Sequence, residues 1–209
     1  WENLTPPTLT GWSKIGSVEP SHHDTATVYI AVDRHRLDDV TPYVFRSHDG
    51  GKSWSLAASG LPRGSFVNCV REDPRRPGLL YAGTERGVYV SFDDGDRWRP
   101  LQTGLPVTSV RDLEVKGDDL VIATHGRAFW ILDNLSPLRQ LDATGGAAQP
   151  AAARLFAPAP AIRLRPAGFT GTPFPAEEPA AKNPPFGAAL DYYLAQPASQ
   201  PVELEIRDA

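Results

Sequence analysis

Ser47-His48-Asp49-Gly50-Gly51-Lys52-Ser53-Trp54 recurs 44 residues later as Ser91-Phe92-Asp93-Asp94-Gly95-Asp96-Arg97-Trp98. Both copies read Ser-x-Asp-x-Gly-x-x-Trp, and a second landmark keeps the same step: Gly60-Leu61-Pro62 returns as Gly104-Leu105-Pro106. A fixed period of this length marks an architecture built by stacking one supersecondary unit. Each octad follows an apolar run with strand character (residues 42–46 and 87–90) and precedes a shorter one, which predicts a hairpin turn. Asp49 and Asp93 are suited to accept hydrogen bonds from backbone N–H groups a few residues on. Gly51 and Gly95 supply the positive φ that a residue with a Cβ resists. Trp54 and Trp98 then enter the outgoing strand as apolar plugs. Burying about 200 Å² of indole at about 25 cal/mol per Å² contributes at most about 5 kcal/mol. Ser47, Asp49, Gly51 and Trp54, with Ser91, Asp93, Gly95 and Trp98, are therefore read as structural. A turn-former recurs with its unit, whereas a catalytic group has no reason to.

With the octads placed between the third and fourth strands of a four-stranded unit, the surrounding sequence falls into order. The first unit predicts strands over 12–18, 26–33, 42–47 and 54–57, the second over 66–71, 79–83, 87–92 and 98–101. The third offers 110–115, 120–124 and 128–132, then Asp133-Asn134 leads into Leu135-Ser136-Pro137-Leu138 without an octad. Trp1 stands where Trp54 and Trp98 stand, so residues 1–9 read as the end of a preceding unit. Residues 136–182 are rich in alanine and proline and read as a linker, with a short strand over 161–165. From 183 to 209 a second β pattern begins, with strands over 188–194 and 202–208. The chain holds no methionine and stops on an alternating strand, which reads as a fragment.

The octads resemble Asp-boxes, or BNR repeats, of the kind found in sialidases, sortilin-type receptors and xyloglucanases. Arg71-Glu72-Asp73-Pro74, Leu80-Tyr81-Ala82-Gly83-Thr84-Glu85 and Thr124-His125-Gly126-Arg127 extend the resemblance to bacterial sortilin-like BNR-repeat proteins labelled "glycosyl hydrolase". The resemblance covers about residues 1–140 and implies an all-β fold. Residues 1–135 would form the C-terminal blades of a β-propeller, 136–182 a linker, and 183–209 the start of an Ig-like β-sandwich module. It also implies an extracellular or periplasmic location, and further N-terminal blades as a structural partner. A propeller commonly closes by borrowing one strand of its last blade, because an unpaired edge is a liability. The missing third octad fits that arrangement.

Composition sets bounds on function. A net charge of −4 gives no reason to expect nucleic acid as a partner, and no apolar run is long enough to span a bilayer as a helix. The one cysteine, Cys69, lies in an apolar strand and reads as a buried thiol. His22-His23 lacks further ligands at zinc spacing, so neither a metal nor a cofactor is expected. The resemblance to propellers implies that ligand-binding groups lie on the face opposite the octads. Candidates there are Arg34 and Arg36 in an insertion that stretches the Trp-to-Trp spacing from 44 to 53, then Arg86, His125 and Arg127. Glycoside hydrolysis needs two carboxylates, roughly 5 Å apart for retention or 6.5–9.5 Å for inversion. Asp38 or Asp39 with Glu85 are the weak candidates, and loop acids of this kind more often pair with arginines such as Arg36 and Arg86. The sialidase pattern of an arginine cluster with a tyrosine is not reproduced by Tyr43 with Arg34, Arg86 and Arg127. The expectation is a non-catalytic scaffold for a glycan, protein or peptide ligand; the alternative is part of a glycoside hydrolase whose acids lie partly outside this stretch.

Overall fold

Three antiparallel meanders follow one another along the chain. The computed structural model describes residues 1–143, 153–161, 177, 184–185 and 187–207. The first sheet joins β1 (Lys14–Pro20), β2 (Val28–Arg34), β3 (Asp39–Ser47) and β4 (Ser55–Leu56) in that order. The second joins β5 (Val67–Glu72), β6 (Leu80–Thr84), β7 (Gly87–Ser91) and β8 (Trp98–Pro100). The third has β9 (Val110–Lys116), β10 (Asp119–Thr124) and β11 (Phe129–Leu132), with β11 at its edge. Up-and-down order follows from the short turns, since links of two to seven residues between strands are too short for the crossover that parallel pairing needs.

The octads are the turns after β3 and β7, and their side chains act as expected. Ser47 Oγ donates to Asp49 Oδ1 (2.8 Å) and accepts the Gly51 N–H (2.9 Å), while Asp49 Oδ1 accepts the Ser53 N–H (2.8 Å). Ser91, Asp93, Gly95 and Arg97 repeat this set at 2.7, 2.9 and 2.9 Å. Gly51 and Gly95 both sit at φ +87°. Trp98 is 2% exposed and shares a buried cluster with Ala57, Leu61, Leu80 and Ala82, which joins the first sheet to the second. A second cluster, including Tyr81, Val88, Leu113, Leu120 and Ile122, joins the second sheet to the third.

The first strands of the three sheets lie side by side. The Val70 N–H donates to Ser17 Oγ (3.0 Å), and Asn68 Nδ2 donates to the Val110 carbonyl (2.9 Å). Gly83 marks a close approach of the second and third sheets: a Cβ there would meet Cys69 Sγ at 2.7 Å and Val110 Cγ1 at 2.8 Å. Cys69 is buried as expected, and burial pushes its thiol up to about 12.

Residues 136–141, expected in the linker, instead carry a short helix, α1 (Ser136–Gln140), within a first compact unit spanning Trp1–Gln149. Leu135 is fully buried and Leu138 and Leu141 pack on the second cluster. Arg139 reaches Asp73, itself 0% exposed, at 2.9 Å and Asp118 at 2.5 Å. Pro137 occupies the first turn of α1, where its missing N–H costs nothing. Among the described residues of the second compact unit, Pro150–Ala209, one short pair is found, β12 (Ala153–Leu155) with β13 (Tyr192–Leu194). The strand expected over 188–194 shortens to its last three residues. Residues 202–207 form no strand, because their alternation finds no partner strand among the described residues. Residues 162–165 of the strand expected at 161–165 lie outside the described residues.

Candidate functional site

On the face away from the octads, hairpin loops from all three sheets meet the segments that enter β5 and β9. The insertion after β2 folds as a 3-10 turn, His35–Leu37, closed by Asp38 at φ +59° with its N–H on the His35 carbonyl (3.1 Å). Asp33, 4% exposed, accepts the His35 N–H at 2.9 Å and lies 2.7 Å from its Nδ1. So held, the His35 ring stacks on Phe66, with centroids 4.8 Å apart and planes 19° apart. The Phe66 carbonyl accepts the Glu85 N–H (3.1 Å). Glu85 Oε2 then accepts the Ser109 hydroxyl (2.7 Å) and lies 3.8 Å from Arg111, while the Ser109 carbonyl accepts the His125 N–H (2.8 Å). A continuous strip results, running from His35 and Phe66 through Glu85, Ser109 and Arg111 to His125.

A threonine closes each of two loops in the same way. Thr84 Oγ1 donates to the Gly87 carbonyl (3.0 Å) and accepts the Arg86 N–H (3.2 Å); Thr124 does the same with Ala128 (2.6 Å) and Arg127 (3.2 Å). Arg86, His125 and Arg127 therefore stand at the tips of rigid hairpins, all three exposed.

The structure brings Glu85 and His125 together through Ser109, but it leaves the other acids elsewhere. Asp39 pairs with Arg34 (3.3 Å) and accepts the Tyr43 hydroxyl (2.9 Å) and the Thr41 N–H (3.1 Å). Burial raises the Asp39 carboxyl, but the bonds from Thr41 and Tyr43 and the Arg34 charge outweigh it and hold it below the usual range. Arg34 also lies over the Tyr43 ring at 5.7 Å and donates to Thr10 at 3.1 Å; its Nε contact with Asp39 is an ion pair without hydrogen-bond geometry. Arg36 and Asp38 are exposed. Among the described residues no hydrogen bond or ion pair joins Asp38 or Asp39 to Glu85. The strip therefore offers one engaged carboxylate with a guanidinium, a stacked imidazole and exposed basic tips.

Sequence reasoning missed Ser109, Arg111 and the His35–Phe66 stack, since strand ends carry no motif. It also missed a second polar cluster on the octad side. There Glu72 accepts the His22 N–H (2.9 Å) and the Gly78 N–H (3.3 Å), and Glu19 accepts the Glu72 N–H (3.1 Å). Arg71 spans from Glu19 (3.5 Å) to Asp112 (2.6 Å) and the Leu113 carbonyl (2.9 Å). Burial lifts the Glu19 carboxyl above the usual range in spite of these partners. Every member is tied to another sheet or loop, so the cluster is a brace. Among the described residues, no three His, Cys, Asp or Glu side chains gather as a metal site.

No family model matches the chain, and no curated protein sequence matches it. Among solved structures it is similar to YCF48 bound to a D1 peptide, at 19% identity and a TM-score of 0.42, over 58% of this chain and 37% of that one. It is also similar to a GH74 enzyme of Niastella koreensis, at 15% identity and a TM-score of 0.46, over 70% of this chain and 24% of the other. A GH74 xyloglucanase of Xanthomonas campestris follows at 13% identity and 0.41, over 69% and 25%. The chain thus spans between about a quarter and somewhat over a third of those chains. All three are β-propeller proteins.

Proposed function

We propose that the three sheets are successive blades of a BNR-type β-propeller, and that the strip from His35 to His125 recognises a polar, extended ligand without transforming it. A glycan or a peptide segment has the required chemistry, with hydroxyl or amide groups for Glu85 and Arg111 and a flat face for the aromatic end. The observation that carries this reading is the Glu85–Ser109–Arg111 junction, in which loops of two sheets present a fixed charge pair beside exposed His125. Resemblance of the octads to those of secreted proteins supports a role outside the cytoplasm.

The test is a binding titration of the chain against panels of oligosaccharides and peptides, with turnover followed in parallel. Arg111→Ala is expected to weaken binding about tenfold, the scale of one hydrogen bond to a charged group. Glu85→Gln keeps the shape and much of the hydrogen bonding, so it is expected to cost less. Hydrolysis that falls 10²-fold or more in Glu85→Gln, with binding retained, would instead identify a general acid and favour the glycoside hydrolase alternative.

A further inference from the structure

Hydrogen-bond acceptors along the strip are already engaged from within the chain. The Gly87 and Ala128 carbonyls take the Thr84 and Thr124 hydroxyls. Gln102 Nε2 donates to the Arg86 carbonyl (3.1 Å), and Trp130 Nε1 donates to the Arg127 carbonyl (2.7 Å). The Phe66 and Ser109 carbonyls hold the Glu85 and His125 N–H groups. Of the carboxylates, Asp33 is turned on His35 and Glu85 on Ser109 and Arg111.

Donors, by contrast, are left over. Arg36, Arg86 and Arg127 stand one at each hairpin and are exposed, and among the described residues none of them has a carboxylate within ion-pair reach. Arg111 is exposed as well and reaches Glu85 only at 3.8 Å. On the octad side Arg46 reaches Asp94 and Asp96, and Arg139 reaches Asp73 and Asp118. Over the loops of the second and third sheets, Arg86, Arg111 and Arg127 are set against one carboxylate, Glu85, in a chain of net charge −4. Asp38, two residues from Arg36, offsets the first tip, so Arg86 and Arg127 carry most of the positive field.

We propose that the strip takes an acidic peptide segment in an extended, polyproline-II-like conformation, with carboxylates at every third residue meeting successive hairpin tips. This rests on the reading of the strip as a recognition surface and narrows its ligand. A carboxylate only accepts hydrogen bonds, and the guanidinium fork matches its two oxygens. A sugar polymer turns hydroxyls toward the surface it lies on, and each hydroxyl donates as well as accepts, so engaged acceptors count against it. Spacing points the same way. Sheets packed face to face lie about 10 Å apart, which sets the step between neighbouring tips. A polyproline-II segment rises about 3.1 Å per residue with three residues per turn, so every third side chain returns to one face after about 9 Å. Its backbone stays in water, so its N–H groups ask nothing of the strip.

Fluorescence anisotropy of labelled synthetic peptides with the full 209-residue chain tests this. A peptide with glutamate at every third position should bind about threefold or more tightly than its isomer with the same glutamates at every second position. Its affinity should fall as salt rises. Arg86→Glu should weaken it about tenfold, and changing one glutamate of the peptide to lysine should recover affinity in this variant alone. The fold, read by circular dichroism, should be unchanged, since the Arg86 N–H and not its side chain closes the loop on Thr84. Equal binding of the two isomers, indifference to Arg86→Glu, or tighter binding of polygalacturonate than of the peptide would overturn the proposal. The recognition strip itself survives any of these results if Arg111→Ala still weakens whichever ligand binds. Absence of binding by every peptide and glycan offered would remove both.

Discussion

Asp49 spends its carboxylate on its own turn. Hydrogen bonds from the Ser53 hydroxyl and N–H, with one from Ser47, hold it down to about 2 from an ordinary 3.8. A carboxyl whose folded value lies below its unfolded value adds stability above the unfolded value and loses it as pH falls toward the folded one. Melting temperature should therefore drop between about pH 4 and 2, and Asp49→Asn should flatten that limb when melts are repeated across the range. Asp49→Ala and Asp93→Ala should both lower the melting temperature at neutral pH, since each deletes several hydrogen bonds that close its turn. Loss of ligand binding without any change in melting would refute a purely structural role. These roles were readable in advance because every partner lies within four residues of the aspartate, so spacing alone fixes the geometry.

At the scale of the strand and its joint, the two box tryptophans are not equivalent. Trp98 is closed in between two sheets at 2% exposure, whereas Trp54 is only partly buried against Leu4. Trp98→Ala should cost about 3–5 kcal/mol in denaturant unfolding, and Trp54→Ala distinctly less. Equal costs would mean that Trp98 is not closed in between the first and second sheets. Hairpins were visible in the sequence because alternation and the octads are local signals. The joints were not. Arg71–Asp112, Glu85–Arg111 and Asn68–Val110 link residues more than twenty positions apart, and no motif marks either end.

For the whole molecule, α1 shows how the last sheet is secured. Arg139→Ala would strand the buried Asp73 carboxylate, and the loss should be about 3 kcal/mol, the lower end for a broken buried pair, because Asp73 keeps the Arg75 and Arg76 N–H groups. An unchanged unfolding midpoint would show that α1 is not part of the cooperative unit. Alternation over 202–208 looked like a strand for the opposite reason: a pattern of period two shows which residues share a face, but pairing needs a neighbour that the pattern cannot supply. The narrow contact at Gly83 has a practical outcome. Cys69 lies beneath it, walled in by Val110 and ionised only at about pH 12, so a thiol reagent can reach it only after the second and third sheets part. The chain therefore carries its own clock. Its single sulfur should react with an alkylating probe at a rate set by how often those sheets separate. Gly83→Ala, which wedges them, should make that clock run faster before any change shows in the circular dichroism of the folded chain.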